Sequence, residues 1–162
     1  MIRRALALSV LALSLAVVSP AMAHDDATPT VGDMPDVTLE LVEQADLVTN
    51  IDQGDAGPSV GDLIIWGPNA LLDTADETDT GATTQGVCTA ISSGDCLLVE
   101  TIVFPDGSTL EIQGIQPATP MESTRTIVGG SGIYLGAHGT VTVEPTDDLA
   151  VWTKTFKILL DD

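Results

Sequence analysis

Thr126–Pro145 reads TIVGGSGIYLGAHGTVTVEP, and the reading of the whole chain turns on it. Two β-branched runs, Thr126–Val128 and Gly139–Val143, flank a segment punctuated by Gly129, Gly130, Gly132, Gly136 and Gly139. β-Branched residues fit a pleated, half-buried backbone. Glycines reach positive φ or let two backbones approach closely, so these five mark turns, bulges or sharply coiled strand. A small closed barrel requires corners of that kind.

Outward from this stretch the chain has the same grain. Val37–Asn50 alternates as a first strand, with Val37, Leu39 and Leu41 on one face and Thr38, Glu40 and Val42 on the other. A loop over Asp52–Ser59 leads to a second strand that starts at Leu63–Trp66, bends at Gly67-Pro68 and ends with Leu71-Leu72. Asp73–Thr80 is a hydrophilic turn without the glycine and glutamate spacing of an EF-hand loop. Thr83–Ile91, Cys96–Phe104 and Ser108–Ile115 read as the next strands, the last two joined by the turn Pro105-Asp106-Gly107. After a loop over Gln116–Ser123 come Thr124–Val128, the glycine-rich strand and a final strand Ala150–Leu160. No window shows a 3.6-residue apolar period over ten or more residues beyond the leader. Eight strands satisfy their edge hydrogen bonds by closing on themselves, so the expected fold is all-β, an eight-stranded antiparallel closed β-barrel. At that strand number the interior is either filled by side chains or holds one small apolar ligand.

Charge and composition narrow the function classes. Met1–Ala23 has Arg3 and Arg4, an apolar run Ala5–Val18 and Ala21-Met22-Ala23, the pattern of a cleaved secretory signal. Residues 24–36 read as a flexible acidic tail and 37–162 as the barrel domain. Losing Arg3 and Arg4 leaves three basic residues against 24 acidic ones, a net charge of −21. That balance repels phosphate backbones and anionic bilayers, so neither nucleic acid nor a membrane surface is an expected partner. A secreted route favours an oxidised Cys88–Cys96 pair, the alternative being a free thiol in the barrel. In a hairpin around Ser92-Ser93-Gly94, with paired positions summing to 184, the two cysteines would sit directly opposite each other. Only His24 and His138 could supply imidazole, so no metal site is expected. There is no G-x-S-x-G elbow and no phosphate-binding glycine loop with its lysine, and no cofactor is implied.

The pattern VGGSGIYLGAHGTVTV resembles the glycine-rich hairpin of allene oxide cyclases and plant dirigent proteins, which share an eight-stranded barrel. Gly61–Asp73, GDLIIWGPNALLD, and Gly107–Gly114, GSTLEIQG, resemble other segments of the same superfamily, in the same order. The resemblance spans Val37 to Leu160. It implies a lumen lined by polar groups that position a water and steer ring closure, with Glu40, Asn69 and Cys88 at the matching places. It also implies a trimer.

Alternation adds one residue of its own. Cys96, Leu98, Glu100, Ile102 and Phe104 share a face of one strand. A buried Glu100 in that apolar company would have a raised pKa and could act as an acid or steady developing positive charge. The other readings are that it faces solvent or pairs with Arg125 or Lys154. Both faces of the strand are largely apolar, which points to a covered outer face and a dimer or trimer. The function expected is a secreted barrel that holds a small hydrophobic ligand and constrains how it cyclises or couples. Glu40, Asn69 and Glu100 are its catalytic candidates, and Trp66, Phe104 and Arg125 its ligand contacts. A non-catalytic lipocalin-like binding barrel and a cell-surface structural protein with a filled lumen stay open as alternatives.

Overall fold

Nine strands form among the described residues: β1 (Val37–Gln44), β2 (Val48–Ile51), β3 (Leu63–Leu72), β4 (Asp79–Ala90), β5 (Cys96–Val103), β6 (Thr109–Gln116), β7 (Ser123–Ser131), β8 (His138–Pro145) and β9 (Val151–Leu159). The computed structural model describes residues 36–161 except 55, 76, 77 and 93, so the expected leader and nearly all of the acidic tail lie outside the described residues. The strand order is β1-β9-β8-β7-β6-β5-β4-β3-β2, and β1 also pairs with β3, which closes the ring.

The count of nine against the expected eight has a local cause. β1 and β2 keep one register against β3: Val42 faces Leu72 and Glu43 faces Leu71, then Val48 faces Trp66 and Ile51 faces Leu63. They are one stave of the barrel with a break at 45–47. Opposite the break, Gly67 takes φ +91° and Pro68 has no N–H to donate, so the regular ladder fails there. Two substitutes bridge the gap: Gly67 N–H donates to the Leu47 carbonyl at 2.9 Å, and Leu47 N–H donates to the Asn69 side-chain oxygen at 2.9 Å.

Inward-facing side chains fill one end of the barrel. Leu71, Ile102, Leu110, Ile112, Ile127, Val141, Val143, Phe156 and Ile158 are all buried there. With five aromatic residues in the whole chain, this core is aliphatic. The glycine-rich stretch behaves as its sequence predicts. Ile127 faces Ile112 and Gly129 faces Glu111, leaving Val128 as an extra residue, a β-bulge. A 3-10 turn over Gly132–Tyr134 then leads into β8.

Cys88 and Cys96 form a disulfide with their Cα atoms 5.4 Å apart. The expected register is off by one pair. Ala90 faces Cys96 and Cys88 faces Leu98, so the two cysteines are diagonal neighbours. The reason is the turn: Ile91 N–H donates to the Asp95 carbonyl at 2.9 Å, which centres the hairpin one residue later than Ser92.

Candidate functional site

The other end of the barrel is open. A cavity of about 650 Å³ lies where β1, β4 and β6 end and β3, β5, β7 and β9 begin. Its walls are mostly apolar, with Ile64, Trp66, Leu98 and Trp152 among them and the disulfide on one side. Both tryptophans of the chain line it. Gly86 makes a seat for Trp66, since a Cβ there would lie 2.4 Å from the indole.

Where the cavity meets the packed core, the inward alternation of four strands switches from apolar to charged. Glu43 follows Leu41 on β1, Glu100 sits between Leu98 and Ile102 on β5, Arg125 precedes Ile127 on β7, and Lys154 precedes Phe156 on β9. None of the four is more than 5% exposed. Arg125 Nη1 lies 3.0 Å from Glu100 Oε2, and Lys154 Nζ lies 2.7 Å from Glu43 Oε2 while also bonding Glu100 Oε1. Thr84 Oγ1 donates to Glu100 Oε1 at 2.6 Å, and Asn69 Nδ2 donates to Glu43 Oε1 at 2.7 Å. Gln116 Oε1 accepts from Arg125 Nη2, while Arg125 Nε is buried without a partner. The Trp152 ring centre is 6.0 Å from the Arg125 guanidinium carbon. Gly114 leaves room for the arginine stem, because a Cβ there would lie 2.9 Å from Arg125 Cγ.

Of the three basic residues among the described ones, Arg125 and Lys154 are thus buried in the lumen of a strongly acidic chain. Ion pairing makes this tolerable, since an isolated buried charge would be expelled or neutralised. Burial acts to raise the Glu100 pKa, but the charges of Lys154 and Arg125, with hydrogen bonds from Lys154 and Thr84, outweigh it and hold the carboxyl below its ordinary value. Burial acts to lower the Lys154 pKa, and Glu100 and Glu43 outweigh it and hold the ammonium above its ordinary value. At neutral pH Glu100 and Lys154 are therefore ionised, with fixed donors and acceptors beneath an apolar space. Such preorganised dipoles act strongly where water is excluded.

A family profile described as dirigent-like protein matches residues 43–159. The chain belongs to the dirigent-like family. No curated protein sequence matches it. Solved structures that share its fold include the following three. A pyocyanin demethylase is 26% identical with a TM-score of 0.63, covering 75% of this chain and 99% of its own. A pterocarpan synthase dirigent protein is 18% identical with a TM-score of 0.63, covering 78% of this chain and 86% of its own. A Diels–Alderase from Streptomyces koyangensis is 22% identical with a TM-score of 0.60, covering 74% of this chain and 65% of its own.

The dirigent-like barrel brings together some of the predicted site residues and separates others. Glu100, Arg125 and Trp66 line the cavity, and Cys88 and Cys96 line it as a disulfide. Asn69 is buried within the barrel wall, where it orients Glu43. Glu40 is exposed on the outer face opposite Thr155, and Glu43 holds the interior place on that strand. Phe104 has the inward parity but the wrong depth. It packs at the closed end, its ring centroid 4.7 Å from that of Tyr134. Glu100 is not the carboxyl with a raised pKa that burial alone predicts, because it is both buried and doubly paired. His138 is exposed at the start of β8, 3.7 Å from Asp161. Glu43, Trp152 and Gln116 escape the sequence reading, and Lys154 enters it only as a pairing partner. A signal for two of them is present: Leu39, Leu41 and Glu43 share one parity, as do Trp152, Lys154, Phe156 and Ile158. Among the described residues no group of three His, Cys, Asp or Glu side chains could hold a metal ion.

Proposed function

We propose that the protein binds a small, largely apolar molecule in the open half of its lumen and steers that molecule's cyclisation or coupling. One observation carries this reading: a cavity of about 650 Å³ with apolar walls ends on the buried Glu43–Lys154–Glu100–Arg125 floor. Confinement would select one conformer of the guest, which lowers the entropic part of a ring-closure barrier. Glu100, held ionised, would steady positive charge developing in the guest, and the spare Arg125 Nε–H would serve an oxygen acceptor. Ring formation is the reaction class named for two of the structural neighbours, the Diels–Alderase and the pterocarpan synthase. Asn69 acts here as a positioning residue, through Glu43.

Two variants test the reading. Ala90→Trp places an indole in the cavity, and solvent extracts of the purified variant should lack the apolar compound that mass spectrometry finds in extracts of the wild type. Identical extracts would sink guest binding. Glu100→Gln should retain the compound but lose at least about tenfold in its conversion, the scale for removing one preorganised charge. Unchanged conversion would leave a binding barrel without catalysis. The likeness to pyocyanin demethylase favours a second reading, in which the guest is pyocyanin itself. Loss of pyocyanin on incubation with the protein would select it.

The leader-like Met1–Ala23 and the disulfide support export from the cytoplasm. The outer face of β3 to β6 supports self-association. Ile65 faces Val87, Val87 faces Val99 and Leu97 faces Ile115, an uncharged apolar patch on an otherwise acidic chain. Val99→Glu should turn a dimer or trimer into a monomer by light scattering. A wild type already monomeric at high concentration would remove this proposal.

A further inference from the structure

Among the described residues Leu149 is the sole non-glycine at positive φ, +60°, while ten glycines take the other such positions. The left-handed conformation strains an L side chain and leaves glycine unstrained. Packing offsets little of that strain, because Leu149 is 41% exposed. The turn itself is firmly held. Leu149 N–H donates to the Thr146 carbonyl at 2.9 Å, Trp152 Nε1–H donates to the Leu149 carbonyl at 2.9 Å, and Ala45 N–H donates to the Ala150 carbonyl at 2.9 Å. Glycine would make this turn more easily, so what leucine adds is its side chain. That side chain belongs to a residue lining the cavity, beside the indole that lies over Arg125. Val48, Ile51 and Ile64 line the same cavity and are also substantially exposed, so the mouth has an apolar rim waiting to be covered. Strain of this sort persists where the surroundings over-determine it, and it concentrates at ligand clamps.

We propose that Leu149 is the size-determining residue of the cavity mouth, admitting flat, largely apolar guests narrow enough to lie along Trp152 and rejecting wider ones. The inference rests on the lumen being a guest site. A guest that fits buries the Leu149 side chain and gains apolar contact. A wider guest meets a side chain whose Cβ is fixed at the mouth, because the backbone beneath it is tied to Thr146 and Trp152.

Calorimetric titration of the folded protein with 2-naphthol and with 1-pyrenemethanol separates the possibilities. Wild type should bind naphthol at least about tenfold more tightly than the four-ring probe, while Leu149→Gly and Leu149→Ala should both narrow that ratio to about threefold or less. Leu149→Gly should unfold at the same or a higher temperature than wild type, and Leu149→Ala at a lower temperature than Leu149→Gly, since alanine keeps the strained backbone without the side chain. Wild-type discrimination in both variants would overturn the assignment, as would a change confined to the glycine variant, which would trace selectivity to backbone mobility. A wild type that binds neither probe would remove the guest site itself along with the proposal.

Discussion

Lys154→Met is expected to cost about 3–5 kcal/mol of folding stability, the range for removing one partner from a buried ion pair. Domains of this size are stable by only about 5–15 kcal/mol in total. Methionine keeps most of the stem packing, so the loss is electrostatic. Lys154 Nζ contacts both Glu43 and Glu100, and without it Glu100 keeps Arg125 while the buried Glu43 loses its ion-pair partner. The melting temperature should fall by on the order of 10–20 °C. The pH dependence gives a sharper check. Glu100 is held below its ordinary value of 4.5, so its contribution in the wild type is complete above that pH and is lost as pH falls through the lower folded value. Lys154 is held above 10.5, so its contribution is complete below that pH and is lost as pH rises through the higher folded value. The stability difference between wild type and Lys154→Met should be largest at neutral and mildly alkaline pH and should shrink as pH falls toward and below 4.5, because burial raises the pKa of a carboxyl that has lost its cation and lets it take up a proton. The self-repulsion of a strongly acidic chain changes with pH in both proteins and largely cancels in the difference. Adding Glu43→Gln to Lys154→Met leaves the Glu100–Arg125 pair neutral and should recover part of the loss. Urea unfolding of the three proteins across pH measures all of this, and a pH-independent difference would show that the floor is not ionised.

Gly139→Ala should be as damaging, for a reason of backbone geometry. Gly139 has φ +138°, and a Cβ there would lie 2.1 Å from the Lys157 carbonyl oxygen on the paired strand. Gly130→Ala would put a Cβ 2.5 Å from the Tyr134 carbonyl oxygen and 2.6 Å from that of Thr109. Neither strand can retreat without breaking ladder hydrogen bonds, so each substitution should cost about 3 kcal/mol or more. Gly129, one residue from Gly130, has open space where its Cβ would be. Gly129→Ala should change stability by no more than about 1 kcal/mol, and in the stabilising direction if the strand accepts it. Thermal unfolding followed by circular dichroism distinguishes the three. Equal losses at all three positions would mean that the glycines act through strand propensity alone.

That contrast also marks the limit of what the chain reveals unaided. Five glycines in a β-branched stretch identify the corner of a barrel, but their spacing does not tell which of them touch a neighbouring backbone. Alternation fixes the face of a residue and not its depth. Glu100 and Phe104 share a face of β5, yet one lies on the cavity floor and the other at the closed end against Tyr134. Parity alone would have placed Glu43 inside and Glu40 outside, because Leu39 and Leu41 set the inward positions of β1. A lysine among Trp152, Phe156 and Ile158 is equally legible as a buried cation once an acidic partner is sought. The split of the first stave was hidden, because its cause lies on the partner strand, at Gly67 and Pro68. The joint burial of Arg125 with Glu100 comes from strands that are not adjacent in the sheet, and no local pattern reports such a contact.

Soaking 2-naphthol into crystals of the protein tests guest binding in the lumen most directly. The ligand should appear inside the open end of the barrel, with its rings against Trp66 or Trp152 and its hydroxyl toward the floor formed by Glu100, Arg125 and Lys154. Density confined to the outer patch around Leu97, Val99 and Ile115, with the lumen holding only water, would contradict it.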